Sequence, residues 1–282
     1  MPRPRTHSIA TSLGEYGRGV IGGLIFSLPL IYTMEVWWAG FTSSPVRLLI
    51  GLAGTFVILL GYNAVAGLHH DYEPIEVVID SVEELGLGLV LSFCMLALLA
   101  RIDPATPAIE VIGKVVVEGM LVAIGVSVGT AQLGGSEQMG LDGRKSGPDA
   151  RRHPIGNVVV LSSCGAVLLA ANVAPTDEIV LLGTQLSPVR LLLTMVASLV
   201  IAAVTLFFSE FHGSHHLRRD LVPRRVVVEC VVAYSVAFLV SAVVLWFFGR
   251  FDGAALPVIV GETVALAFPA TLGASAGRLL LQ

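Results

Sequence analysis

Eight times along the chain, a run of about 20 mostly apolar residues passes, at 19–38, 46–68, 79–101, 108–129, 156–174, 189–208, 226–248 and 254–277. That is the length an α-helix needs to cross the hydrocarbon core of a bilayer. Inside lipid every backbone N–H and C=O must be satisfied by the protein itself, which leaves only helices and closed barrels. Runs this long belong to helices, because a barrel strand needs only about 10 residues and alternates apolar with polar side chains. The expected fold class is all-α, a polytopic membrane protein with eight transmembrane helices. The charge content agrees: 13% of residues are charged, about half the usual share in soluble domains. The first run is too long for a signal-peptide core, contains Glu35 and lacks a small-residue cleavage site, so it reads as a span.

The hexapeptide Ser44-Pro45-Val46-Arg47-Leu48-Leu49 returns as Ser187-Pro188-Val189-Arg190-Leu191-Leu192, 143 positions on (187 minus 44). The same offset carries Gly22 to Gly165 and Thr33-Met34-Glu35 to Thr176-Asp177-Glu178. At 149 it carries Pro74 to Pro223, Asp80 to Glu229, Arg101 to Arg250 and Asp103 to Asp252, and at 148 Gly125 and Gly129 to Gly273 and Gly277. An ordered series of matches with small drifts points to an internal duplication. Four spans per copy is an even number, so both copies enter the membrane in the same direction and form a parallel 4+4 repeat. The expected organisation is an N-terminal arm at 1–18, a first four-helix repeat at 19–130, a polar glycine-rich linker at 131–155 and a second repeat at 156–282. The recurring Gly125, Gly129, Gly273 and Gly277 have the four-residue spacing of a close helix-packing face.

Arginine and lysine set orientation. Twelve of these residues, from Arg3 to Arg278, collect on one side, against Arg47, Arg101, Arg190 and Arg250 on the other. Both termini and the linker are therefore expected in the cytoplasm. The net charge of -4, with no basic stripe interleaved with aromatics, excludes a nucleic-acid partner. The lipid bilayer is the first partner implied, with a homo-oligomer or a small membrane partner as further expectations. Cys94, Cys164 and Cys230 fall inside spans and form no CxxC pair.

Charges at bilayer depth cost about 2.5–3.5 kcal/mol each on insertion scales, so they face protein or water. Glu76 stands just before the third span and Asp80, Glu83 and Glu84 in its first turns, and the seventh keeps Glu229. These positions fit an interfacial helix start, where acids meet the positive end of the dipole, and equally the inner mouth of a route. The fourth span carries Glu110, Lys114 and Glu118 at i, i+4, i+8, a spacing suited to an ion pair, and Glu262 occupies the Lys114 position in the eighth. A Lys114–Glu262 pair across the repeat axis is the contact this symmetry predicts. Glu35 and Glu178 stand at the outer ends of the first and fifth spans, each two residues after a threonine and close to Pro29 or Pro175. Oxygen donors of this kind suit hard cations, and solvated helix ends suit them too. Together Glu35 and Glu178, then Lys114, Glu118 and Glu262, then Asp80, Glu83, Glu84 and Glu229 form outer, central and inner levels of a candidate ion pathway at the repeat interface.

His69, His70, His212 and His215 lie in two cytoplasmic loops and are candidate metal ligands or pH sensors, although their spacing fits no zinc motif. No phosphate-binding loop, metalloprotease helix or nucleophile elbow is present. The chain is expected not to be an enzyme and to need no cofactor.

At Pro29-Leu30, Thr33-Met34-Glu35, Asn172 through Thr176 and Pro269-Ala270 with Gly273-Ala274, the chain resembles a family of bacterial integral membrane proteins of unassigned function. The resemblance implies a bacterial inner-membrane location and supplies no substrate. The residues themselves point to an ion transporter or channel for a cation or proton. The competing expectation is a non-transporting scaffold, assembly factor or sensor that docks another membrane subunit. An intramembrane enzyme acting on lipid ranks below both, because the serines stand in no nucleophile motif.

Overall fold

The computed structural model describes residues 9–66, 74–138, 155–211 and 222–279, and every element in them is helical. The chain runs α1 (Ile9–Ile31), α2 (Met34–Thr42), α3 (Pro45–Ala66), α4 (Pro74–Leu98) and α5 (Ala108–Gln138). It continues as α6 (Ile155–Val173), α7 (Asp177–Gln185), α8 (Pro188–Phe211), α9 (Val222–Phe247) and α10 (Leu256–Leu279). Seven helices are long and apolar enough to cross a membrane, and eight if α1 with α2 is taken as one broken span. All-helical, multi-pass architecture is as expected. The linker expected at 131–155 lies for the most part outside the described residues.

The first span is not one helix. Its two parts meet at 87° between Ile31 and Met34, so Trp37 and Trp38 lie on α2 and not at the end of a straight crossing. Pro29 inside α1 lacks the N–H that would close its turn, which weakens the helix just before the break. The Thr33 hydroxyl donates to the Pro29 carbonyl at 2.7 Å, and the Trp37 indole N–H donates to the Ile31 carbonyl at 3.0 Å. These bonds take up acceptors that the interrupted ladder leaves open. In the second half Pro175 disfavours helical geometry at Ala174, and Thr176 donates to the Val173 carbonyl at 2.8 Å. Nine residues in each of α2 and α7 span only about 13 Å, too short to cross alone.

The repeated hexapeptide marks helix starts. Pro45 and Pro188 open α3 and α8, where a missing N–H is harmless. Ser44 Oγ accepts from the Arg47 N–H at 3.3 Å. Helix ends are as regular. The Arg101 N–H reaches the Leu96 carbonyl at 2.8 Å and the Arg250 N–H the Leu245 carbonyl at 3.0 Å, the six-to-one bond of a Schellman cap. The left-handed residue of that cap is Gly249 at φ 75° after α9 and Ala100 at φ 53° after α4.

α5 is the most enclosed of the candidate spans, with α1, α2, α3 and α4 packed on it; α10 is covered by α6, α7, α8 and α9. Glycine sets how closely these helices approach. A methyl group on Gly22 would strike the backbone of Gly125 and Gly129, and one on Gly165 the backbone of Gly273 and Gly277. The expected small-residue faces are thus the α1–α5 and α6–α10 contacts. Between the halves α3 packs on α6. A cavity of about 80 Å³ lies there, lined among others by Phe26, Tyr62, Leu161, Cys164 and Leu168. No acidic side chain lines it.

Candidate functional site

Two buried carboxylates stand out, one on each central helix. Glu118 of α5 is 0% exposed and Glu262 of α10 is 1% exposed. Both Glu118 oxygens and Oε2 of Glu262 lack a hydrogen-bond partner. Most buried polar atoms in proteins are satisfied, so these three demand a reason.

Each acid sits where a short helix crosses its half. α2 lies on α5 at Gly40, where a methyl group would be 2.6 Å from both Cα and N of Lys114. α7 lies on α10 at Gly183, where a methyl group would strike Glu262 Cγ and come 2.9 Å from Glu262 N. Glu118 follows Lys114 by one helical turn, and the Trp37 indole beside it is committed to Ile31. An arginine just after the helix that precedes each central helix, Arg101 after α4 and Arg250 after α9, braces the short helix. Arg101 stacks over the Trp37 ring at 4.7 Å. Arg250 donates to the Ala174 carbonyl at 3.2 Å, to the Pro175 carbonyl and to Asp177 at 3.1 Å.

The predicted Lys114–Glu262 pair does not form. Lys114 Nζ is 2.6 Å from Glu110 and donates to the Arg101 carbonyl at 3.0 Å. The i, i+4 neighbour on its own helix captures the ammonium, and Glu262 lies under α7, in its own half. Nor do Glu118 and Glu262 line the cavity between the halves. A second cavity, about 380 Å³, opens between α2, α3 and α5, with Gly40, Phe41, Glu110 and Gly113 among its lining residues. It leads to the Glu110–Lys114 pair above Glu118.

The four acids of α4 do not share one environment. Glu76 and Glu83 are exposed, Asp80 is half-buried and Glu84 is the inward member. Adjacent helical residues point 100° apart, so Glu83 and Glu84 cannot face the same neighbour. Glu83 accepts from the Tyr16 hydroxyl at 3.0 Å. Glu84 accepts from the Asn63 amide at 2.8 Å. The same amide nitrogen lies 3.1 Å from Ser81 Oγ, and the Asn63 carbonyl oxygen accepts from Ser127 at 3.2 Å. This knot joins α3, α4 and α5. Sequence reasoning missed its centre, although a lone asparagine in the apolar run 46–68 was the signal. Glu35 is half-buried and Glu178 exposed, each in the first turn of its short helix, where the dipole favours an acid. Glu229 is half-buried on α9.

Among the described residues no group of three His, Cys, Asp or Glu side chains converges to hold a metal. His69, His70, His212 and His215 lie outside the described residues.

Seven long apolar helices, or eight spans with the bent α1–α2 pair, packed around the two central helices α5 and α10 define a multi-pass integral membrane protein. The chain matches the family of integral membrane proteins DUF2391 over residues 15–281. It belongs to that family, as the short motifs from Pro29 to Ala274 implied. No curated protein and no solved structure matches it.

Proposed function

We propose that this protein moves a small cation, in the simplest case the proton, across its membrane by way of intramembrane carboxylates. The observation that carries the reading is Glu118, wholly buried with neither oxygen hydrogen-bonded. A carboxylate at such depth is tolerated when a proton or a cation comes to neutralise it. Glu262, also buried and with Oε2 unpartnered, lies beneath α7 at the place that corresponds to Lys114. The route this supports runs within each half, past a short helix and a buried acid, and not along the apolar seam between halves. Glu35 and Glu178 stand at one end of it, with Asp80, Glu84 and Glu229 towards the other.

The frame for this reading is a parallel 4+4 duplication. It is supported by the matching order of long, short and three long helices in each half, and by helix starts that keep the sequence offset. The paired glycine contacts at Gly40 and Gly183 and the paired C-caps at Ala100 and Gly249 support it too. The arginine and lysine asymmetry supports cytoplasmic termini, and the family resemblance supports a bacterial inner-membrane location.

The test is flux. Purified protein in liposomes holding a pH-sensitive dye is given an imposed proton or alkali-cation gradient. Flux should appear, and Glu118→Gln should abolish most of it, while Glu83→Gln on the exposed face should leave it near wild type. Folded Glu118→Gln protein with undiminished flux, or no flux of wild type under any gradient, ends the proposal.

A further inference from the structure

We infer that a second copy of this chain docks against α8, continuing between molecules the same contact that joins the two halves within one. The inference rests on the proposed correspondence of the halves and is independent of the cation route.

The internal contact is head-to-tail. From the first half α3 presents Arg47, Gly51 and Gly61. Arg47 makes a two-pronged pair with Asp252, both bonds 2.9 Å. Gly51 lies against Phe247 and Gly61 against Val160. A heterologous contact of this kind uses a different surface on each partner, so it leaves one unused surface at each end of the pair.

Those unused surfaces are visible. At the offsets that relate the halves, Arg47 becomes Arg190, Gly51 becomes Thr194 and Gly61 becomes Val204, all on α8. Asp252 becomes Asp103, Phe247 becomes Leu98 and Val160 becomes Gly17. Arg190 and Asp103 are both exposed, and neither makes an ion pair among the described residues. Leu98 is 77% and Val204 49% exposed. Gly17 has open space where a side chain would go.

The residue sizes also match. Where the internal contact sets Gly61 against Val160, the external one sets Val204 against Gly17, with small and large exchanged. Where Gly51 meets Phe247, Thr194 meets Leu98. Arg190 meets the Asp103 of the neighbouring copy with the same opposite charges as Arg47 and Asp252. Close approach over a small residue and one charged pair are what membrane helix contacts use in place of the hydrophobic effect. Both halves point the same way through the membrane, so the second copy arrives in the orientation it already has.

The experiment uses full-length protein in native membranes, with Cys94, Cys164 and Cys230 replaced by serine or alanine. Gly17→Cys with Val204→Cys, oxidised, should give a covalent dimer on a denaturing gel, and neither single variant should. Gly61→Cys with Val160→Cys should cross-link within the monomer; if it does not, the packing of the halves is at fault and not the assembly alone. Arg190→Asp should lower the oligomer fraction in native mass spectrometry about tenfold, and adding Asp103→Arg should restore it. A wild-type protein that carries one chain per particle, or a Gly17/Val204 pair that stays monomeric while the Gly61/Val160 pair closes, overturns the inference.

Discussion

Replacing Gly40 with alanine probes the crossing over which the buried acids are built. The added carbon would lie 2.6 Å from Cα and N of Lys114 and 2.9 Å from the Gly113 carbonyl carbon, and these distances must grow to at least 3.4 Å for ordinary contact. All three atoms are backbone, so no rotamer change relieves the clash; α2 must lift off α5. Overpacking of this kind costs about 1–3 kcal/mol. Alanine itself favours a helix over glycine by about 0.5–1 kcal/mol, which offsets part of the loss. Gly54→Ala on α3 separates the two effects, because nothing lies within 4 Å of its added carbon and only the helix gain remains. Unfolding of the detergent-solubilised protein can be followed with a thiol-reactive dye, since Cys164 and Cys230 are buried. Gly40→Ala should melt several degrees below Gly54→Ala, at roughly 2–4 °C per kcal/mol for a chain somewhat smaller than this. Equal or higher stability for Gly40→Ala refutes the claim that glycine sets this contact. Gly183→Ala should behave alike, with partial recovery on adding Glu262→Ala, since one of the atoms it strikes is Glu262 Cγ.

Ala100→Gly should stabilise the protein by about 0.5–1 kcal/mol, because a left-handed residue costs an L side chain about 1–2 kcal/mol and glycine's looser unfolded state returns part of that; a melting shift of zero or below counts against the cap. The Arg47 hydrogen bond holds the Asp252 carboxyl below the usual aspartate range, so its contribution is complete above the unfolded pKa and is lost as pH falls through the lower folded value. Melting between pH 7 and pH 3 should therefore fall more steeply for wild type than for Arg47→Gln, and parallel curves exclude the pair as a contributor. Asn63→Leu removes the amide donor to Glu84 and should cost about 1.5–3 kcal/mol, the range for hydrogen bonds to charged groups, much of it recovered on adding Glu84→Ala; an unchanged melting point means the knot contributes nothing.

The spans were legible because lipid leaves a chain few options, although the third, read from 79, begins at Pro74, whose missing N–H suits a helix start. The break after Ile31 was not, since the apolar run continues through Tyr32, Met34, Val36 and the tryptophans with nothing polar enough to end it. The second half of the chain held the clue: Pro175-Thr176-Asp177-Glu178 follows α6 at the offset of 143 that leads back to Thr33-Met34-Glu35. Which acids turn inward was harder. Glu83 and Glu84 have the same chemistry, and only the neighbouring helix, through Asn63, makes one of them interior. The i, i+4 spacing made the Lys114–Glu110 pair legible, and only the Lys114–Glu262 contact failed, because a side chain takes the partner one turn away on its own helix before one that symmetry suggests. Glu118 and Glu262 are both buried, but the glycines that let short helices pack over their stretch of α5 and α10, Gly40 and Gly183, carry no chemical signal of their own.

The Asn63 knot has one more consequence. At its corresponding places the second half has Leu206, Cys230, Ala233 and Ser275, and the buried Ser275 hydroxyl has no partner. Ser127 lies nine residues beyond Glu118, about 13 Å along α5, and belongs to a knot that reaches α3 and α4, whereas the buried Thr271, nine residues beyond Glu262, donates its hydroxyl to the Ala267 carbonyl of its own helix. On the proposed cation route the two halves are therefore unequal: polar groups from three helices meet beyond Glu118, and the matching places in the second half carry Leu206, Cys230 and Ala233 instead.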